Sequence, residues 1–251
     1  MRIQFRFFSS IISLFLISSV AIFTGCSPVK LSTDGVTSTN SSSSTPDTSN
    51  NETAPVVQSL MQSLVWEKTV PQSKLWSAYI YKVIKEEEPQ LLNSDAALDT
   101  DLFCPRFKLM TADQRLNFWG QLFAGMAKYE SGWNPLSRYI ETTMPNDSIT
   151  GLPTASEGLL QLSYQDVPNY NNFCEFDWNK DKLLSIKDPK RTILDPYKNL
   201  RCGIKIMARI IKKRGVIATD KGAYWAVIQK NGSHHRIPEI SAITKSLKFC
   251  L

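Results

Sequence analysis

The sequence predicts a mainly α domain with a small β element, carried behind an export segment and a polar tether. Three observations predict it. Apolar residues recur at spacings of three and four from about residue 73 onward, between recognisable cap and stop residues. Sustained strand alternation is missing, and the polar stretch from Ile140 to Leu162 has room for only a small sheet. The cysteines beyond residue 100 number four, an even count that suits disulfides in an exported chain.

Residues 1–26 read as the export segment. Arg2 and Arg6 give a positive start, an apolar run extends from Phe7 to Phe23, and Gly25 precedes Cys26. That is the layout of a signal peptide, and the run falls short of the roughly 20 residues needed to cross a bilayer. Phe23-Thr24-Gly25-Cys26 resembles a bacterial lipobox, with Phe23 where Leu is usual. The resemblance implies that Cys26 is the lipidated first residue of the mature protein and its contact with the membrane. Ser27 stands where an Asp would favour inner-membrane retention, so the outer membrane is the expected destination.

Residues 27–55 form the tether. From Ser32 to Thr53 the chain is dominated by Ser, Thr, Asn and Asp, with almost nothing large and apolar to bury. Such composition predicts a flexible spacer that lets an anchored domain search the volume beside a membrane. Residues 56–251 follow without a repeat or second linker, and about 195 residues are ample for one domain with a substantial core.

Within that domain, Ser73 to Lys85 carries Leu75, Trp76, Tyr79, Ile80 and Val83 on one broad face and reads as a helix. A second helix spans Ala112 to Ser131. Thr111 or Asp113 caps it, Trp119, Leu122, Phe123 and Met126 form its stripe, and Gly132 and Pro135 stop it. Asp195-Pro196 opens a third helix, which runs through Leu200, Ile204, Met207, Ile210 and Ile211 to Gly215. Asp220 is expected to start a fourth through Tyr224, Trp225, Val227 and Ile228, closed by Asn231-Gly232; Pro238 begins the last, with Ile240, Ile243 and Leu247.

Cys104, Cys174, Cys202 and Cys250 allow three pairings. We favour Cys104 with Cys250, a staple on the C-terminus, and Cys174 with Cys202. A metal site is not expected, because His234 and His235 are adjacent and no CxxC spacing exists. The chain carries a formal charge of +6, or +4 once Arg2 and Arg6 are removed with the signal. A modest positive charge suits an anionic polymer. The densest basic run, Arg209 to Arg214, lies at the end of a predicted helix where the dipole favours cations, and export argues against nucleic acid.

One residue points to chemistry. Extending the stripe of the Ala112–Ser131 helix by a turn lands on Glu130, at the negative end of the dipole and on the inward face. Desolvation and dipole both disfavour its charged form, so its pKa is expected to be raised. A carboxylic acid held protonated near neutral pH is what general acid catalysis at a glycosidic oxygen needs. The plainer alternative is a solvated carboxylate paired with Lys128 or Arg138.

Four further elements decide between them. Tyr129-Glu130-Ser131-Gly132-Trp133-Asn134-Pro135 looks like the "ESgfnP" element of soluble lytic transglycosylase and goose-type lysozyme domains. Ser156-Glu157-Gly158-Leu159-Leu160-Gln161 resembles their "S-x-G-L-M-Q". Asn199-Leu200-Arg201-Cys202-Gly203 resembles "N-x-x-x-G", and Ala223-Tyr224-Trp225-Ala226 resembles "A-Y-N-A". The resemblance spans about Cys104 to Ile228 and implies an α+β lysozyme-like fold, a helical lobe with a small β element or loop insertion beside a cleft.

It also implies roles. Glu130 is the acid/base. Ser131, Gly158, Leu160, Gln161, Tyr224 and Trp225 line the substrate groove, with Ser131 shaping the helix end, Gly158 admitting the sugar to the backbone, and the Tyr224 hydroxyl directed at Glu130. The substrate is the peptidoglycan glycan strand, cut between MurNAc and GlcNAc, and no cofactor is called for. In a lytic transglycosylase, the expected activity, Glu130 protonates the leaving oxygen and then takes the proton of the MurNAc 6-hydroxyl, which closes an anhydro ring. A hydrolytic lysozyme of the same fold needs water and commonly a second carboxylate. Glu141, Asp147 and Glu157 are the candidates for that group. A non-catalytic peptidoglycan-binding lipoprotein and a helical envelope adaptor are the non-enzymatic alternatives.

Two features depart from the family. The interval between Glu130 and Gly158 is long, so Ser137 to Ala155 is an insertion, expected as a loop or small hairpin over the cleft. Trp225 occupies the family's Asn position, which suggests altered reading of the sugar's acetamido group and a preference for de-N-acetylated glycan.

Overall fold

The computed structural model describes residues 61–220 and 223–251, which belong to one compact unit. The signal peptide, Cys26 and the tether lie outside the described residues. After a 3₁₀ turn at Val65–Lys68, α1 (Ser73–Glu87) leads through a second turn at Pro89–Leu92 to the short α2 (Thr100–Phe103), and a third turn, Phe107–Leu109, precedes α3. α3 (Ala112–Ser131) is the central element, packed against both α1 and the C-terminal helix. Its start is a capping box: the Thr111 hydroxyl accepts from Gln114 N, and the Gln114 side chain accepts in return from Thr111 N. Its end is a left-handed Gly132, φ 61°, whose N–H bonds back to Ala127 and Lys128.

Beyond α3 the chain forms β1 (Arg138–Ile140) and β2 (Ala155–Glu157), an antiparallel pair with Arg138 opposite Glu157, Tyr139 opposite Ser156 and Ile140 opposite Ala155. The expected insertion is thus a hairpin whose β1 starts one residue after Ser137. The short helices α4 (Asp166–Asn169) and α5 (Trp178–Asp181) precede α6 (Pro196–Arg214), and α7 (Ile237–Lys245) closes the domain. The Asp195 carboxylate caps α6 by accepting from Tyr197 N and Lys198 N, with Pro196 at the first helical position. Mainly helical with a two-stranded antiparallel sheet, the domain has the mainly α, lysozyme-like class that the sequence predicts.

One predicted helix is absent. From Asp220 to Gly232 the chain makes only a 3₁₀ turn, Ala226–Ile228. Tertiary anchors override the pattern: the Trp225 indole donates to Leu160 O, Lys230 N to Thr219 O and Arg236 N to Val227 O. Trp225, Val227 and Ile228 are all buried, three near-consecutive positions that cannot share one stripe.

Both disulfides take the favoured pairing, Cys104–Cys250 across 146 residues and Cys174–Cys202 across 28. Each stabilises by restricting the unfolded chain, by about 3–5 kcal/mol for loops of these lengths. They fit an oxidising, exported environment. Among the described residues no helix is long and apolar enough to cross a membrane, and no His, Cys, Asp and Glu group could hold a metal.

Candidate functional site

Glu130 occupies the last turn of α3, half-buried, two residues before the left-handed Gly132. The chain folds back over this end. Trp133 is also left-handed, φ 65°, and its indole donates to Ala124 O. The Ser131 hydroxyl donates to Ala127 O, which ties the terminal turn as expected. Of the two cations close in sequence, Lys128 lies over the Tyr129 and Trp133 rings, and the Arg138 guanidinium faces Glu157.

The second motif is a tight loop that distant parts of the chain hold from three sides. Gly158 has φ 78°, and a Cβ there would stand 2.3 Å from Asn199 Nδ2. The glycine is therefore required by the close approach of Asn199, where the sequence reading gave it to the sugar; that expectation is corrected. Asn199 donates to Glu157 O and Ile193 O and accepts from Leu160 N. Gly203, one turn on along α6, makes room for the Leu160 side chain, since a Cβ there would stand 2.3 Å from it. Trp225 completes the clamp through Leu160 O.

Leu160 and Trp225 are consequently core residues with no exposed surface. Assigning them to substrate contact is a correction as well: their side chains build the loop. An influence of Trp225 on acetyl-group recognition would have to pass through that loop. Gln161 ends the loop in the left-handed region, φ 50°, with its amide donating to Gly158 O. A non-glycine residue in that region costs about 1–3 kcal/mol and is a mark of functional sites. Trp133 and Gln161, one in each of the first two motifs, both carry it.

The Tyr224 hydroxyl donates to the buried Asp166 carboxylate, which also accepts from Ser163 N and Ser163 Oγ. Asp166 was not singled out in the sequence, although Ser163-x-x-Asp166 has the spacing of a local cap.

The three carboxylates proposed as second groups differ sharply. Asp147 is buried and organises the hairpin tip, accepting from Ile149 N, Thr150 N and Gln165 N. Glu157 is buried in an ion pair with Arg191, Oε2 to Nη1 2.6 Å, with Arg138 Nε at 3.6 Å. Burial raises its pKa against the pull of both guanidiniums. Glu141 follows β1 directly, its N–H on Thr154 O, and its half-buried carboxylate accepts from the Ser156 hydroxyl. Strand alternation puts Tyr139, Glu141 and Ser156 on one face of the hairpin and Arg138 and Glu157 on the other. Two of the three candidates are thus committed to structure.

No family model matches the sequence, and no curated protein matches it. Solved structures do. The wild-type Bdellovibrio protein DslA (Bd0314) superimposes with a TM-score of 0.61 at 29% identity, over 75% of this chain and 98% of its own. Two single Glu→Gln variants of DslA match at 29% identity with TM-scores of 0.61 and 0.60, over 75% of this chain and 97% of theirs. The chain is similar to DslA in fold over almost all of DslA's length.

Proposed function

We propose that this protein is a peptidoglycan muramidase that cleaves the MurNAc–GlcNAc bond, with Glu130 as general acid and Glu141 as the second carboxylate. One observation carries the reading. The two Glu→Gln variants made in DslA lie eleven positions apart in that chain, and the same interval separates Glu130 from Glu141. Both glutamates here also sit where chemistry can use them. Glu130 ends a helix against a strained turn, and Glu141 stands beside a neutral hydroxyl and not a cation.

In this mechanism Glu130 delivers its proton to the glycosidic oxygen as positive charge builds at the anomeric carbon. Glu141 stabilises that charge or activates the attacking water, the task of the second carboxylate in glycoside hydrolysis. The rigid Gly158–Gln161 loop presents backbone and the Gln161 amide beside the α3 end. A lytic transglycosylase is the second reading, favoured by the order of the four sequence motifs; there Glu130 works alone and the MurNAc 6-hydroxyl replaces water. Cys26 would anchor the domain to a membrane, the outer membrane by the identity of Ser27, and the tether would give it reach to the wall.

The test is mass spectrometry of muropeptides released from purified sacculi, normal and de-N-acetylated. Reducing-end products from either wall support the two-carboxylate reading. Products lighter by one water support the transglycosylase. No release from either wall leaves a binding lipoprotein and refutes both.

A further inference from the structure

Behind the hairpin, on the face that carries Arg138 and Glu157, lies a cavity of about 140 Å³. It is the size that accepts one benzene-sized group, too small for a disaccharide. Its polar lining is unbalanced in one direction. All three lining carboxylates are engaged: Glu157 by Arg191, Asp147 by three backbone N–H groups, and Asp181 by the Tyr164 hydroxyl, Thr192 N, Thr192 Oγ and Ile193 N. Donors remain. The buried Nε of Arg138 and that of Arg191 have no hydrogen-bond partner among the described residues. The Lys182 ammonium, which carries three protons, donates to Asn179. The opposite wall is aliphatic, formed by Leu152, Pro153, Leu184 and Ile186, with Leu152 and Ile186 about half exposed at the rim.

A cavity whose acceptors are satisfied and whose cationic donors are not is matched by a ligand that brings acceptors and negative charge. Guanidinium donors favour a planar carboxylate above other anions, and the aliphatic wall favours a small apolar group attached to it. We propose that this cavity is a binding site for a small aliphatic carboxylate of the kind that ends a short peptide, held by Arg138 and Lys182 against the Leu152–Leu184–Ile186 wall. The site lies on the hairpin face opposite Glu141 and is separate from the Glu130 chemistry. Under the muramidase reading it would receive the free carboxyl end of a stem peptide, but the binding itself does not depend on that reading.

The probe is N-acetyl-D-alanyl-D-alanine and its C-terminal amide, titrated into the protein while the side-chain Nε–H resonances of Arg138 and Arg191 and the backbone amides of Leu152 and Leu184 are followed by NMR. The acid should saturate these shifts, with the amide roughly tenfold weaker or more. Arg138→Gln should weaken the acid about tenfold, and Lys182→Ala by less. If Arg138→Gln does not fold, Leu152→Asp at the exposed rim replaces it, and the added charge should weaken the acid several-fold. Equal binding of acid and amide, binding indifferent to these substitutions, or no saturable shift would each overturn the site. Sacculus cleavage by Lys182→Ala, measured alongside, reports on Glu130 and stands or falls separately.

Discussion

Glu141 and Glu157 flank the same short hairpin, yet their surroundings have almost nothing in common. Glu157 faces inward on β2 with two guanidiniums, its charge compensated and its oxygens committed. Glu141 stands at the end of β1 on the other face, half-buried, with a serine hydroxyl on its carboxylate. A carboxylate matched by buried cations is fixed in its protonation state and its geometry, which suits a structural strut. One matched by a neutral, rotatable donor can still change its partner or its charge, which suits chemistry. The hairpin is therefore two-sided in function as well as in pattern, and sequence proximity to a motif does not say which side a residue serves.

The comparison can be broken most severely at Glu130. Glu130→Gln should lower muropeptide release by about 10²–10⁴-fold, the usual contribution of a positioned acid, with the melting temperature little changed. Circular dichroism and a release assay on the same preparation check both halves. Next in size, Glu141→Gln should cost activity by a factor of roughly 10² or more if it is the second carboxylate, again without much loss of stability.

Glu157→Gln should do the reverse. Removing one partner of a buried pair leaves the Arg191 charge uncompensated, at about 3–5 kcal/mol in denaturant unfolding, while turnover per folded molecule is retained. Gly158→Ala sharpens the same point, because its Cβ would collide with Asn199 and occupy a left-handed backbone. It should destabilise by about 1–3 kcal/mol and also misplace the loop, so both stability and turnover fall.

The smallest effect is expected away from the hairpin, where α1 meets α6. Hydrogen bonding from Arg201, supplemented by Lys205, holds the Glu87 carboxyl below its ordinary value of 4.5. A depressed folded-state pKa contributes stability above the unfolded value and loses it as pH falls through the folded one. Glu87→Gln should thus lower stability at neutral pH by no more than about 1 kcal/mol, and the difference from wild type should vanish in acid.

The long elements were legible in the sequence because local signals mark them. Thr111 and Gln114 announce the start of α3, Gly132 its end, and Asp195-Pro196 the start of α6. The helices of four residues, α2, α4 and α5, were not, since one turn has no period to detect. The Asp220–Gly232 segment was misread because its fate is decided by Leu160 O, 65 residues away from Trp225 in sequence. The same non-locality hid the site's inner logic. Glu157 meets Arg191 across 34 residues, and Asn199 meets Leu160 across 39, so no window of sequence contains either pair. The motifs located the place correctly while concealing that Asn199, Gly203, Leu160 and Trp225 are its scaffold.

The most direct test is muropeptide release by wild type, Glu130→Gln, Glu141→Gln and Glu157→Gln at equal folded concentration. The account predicts that both Glu130→Gln and Glu141→Gln lose release while Glu157→Gln keeps it. Wild-type turnover by Glu141→Gln, or by Glu130→Gln, would contradict it.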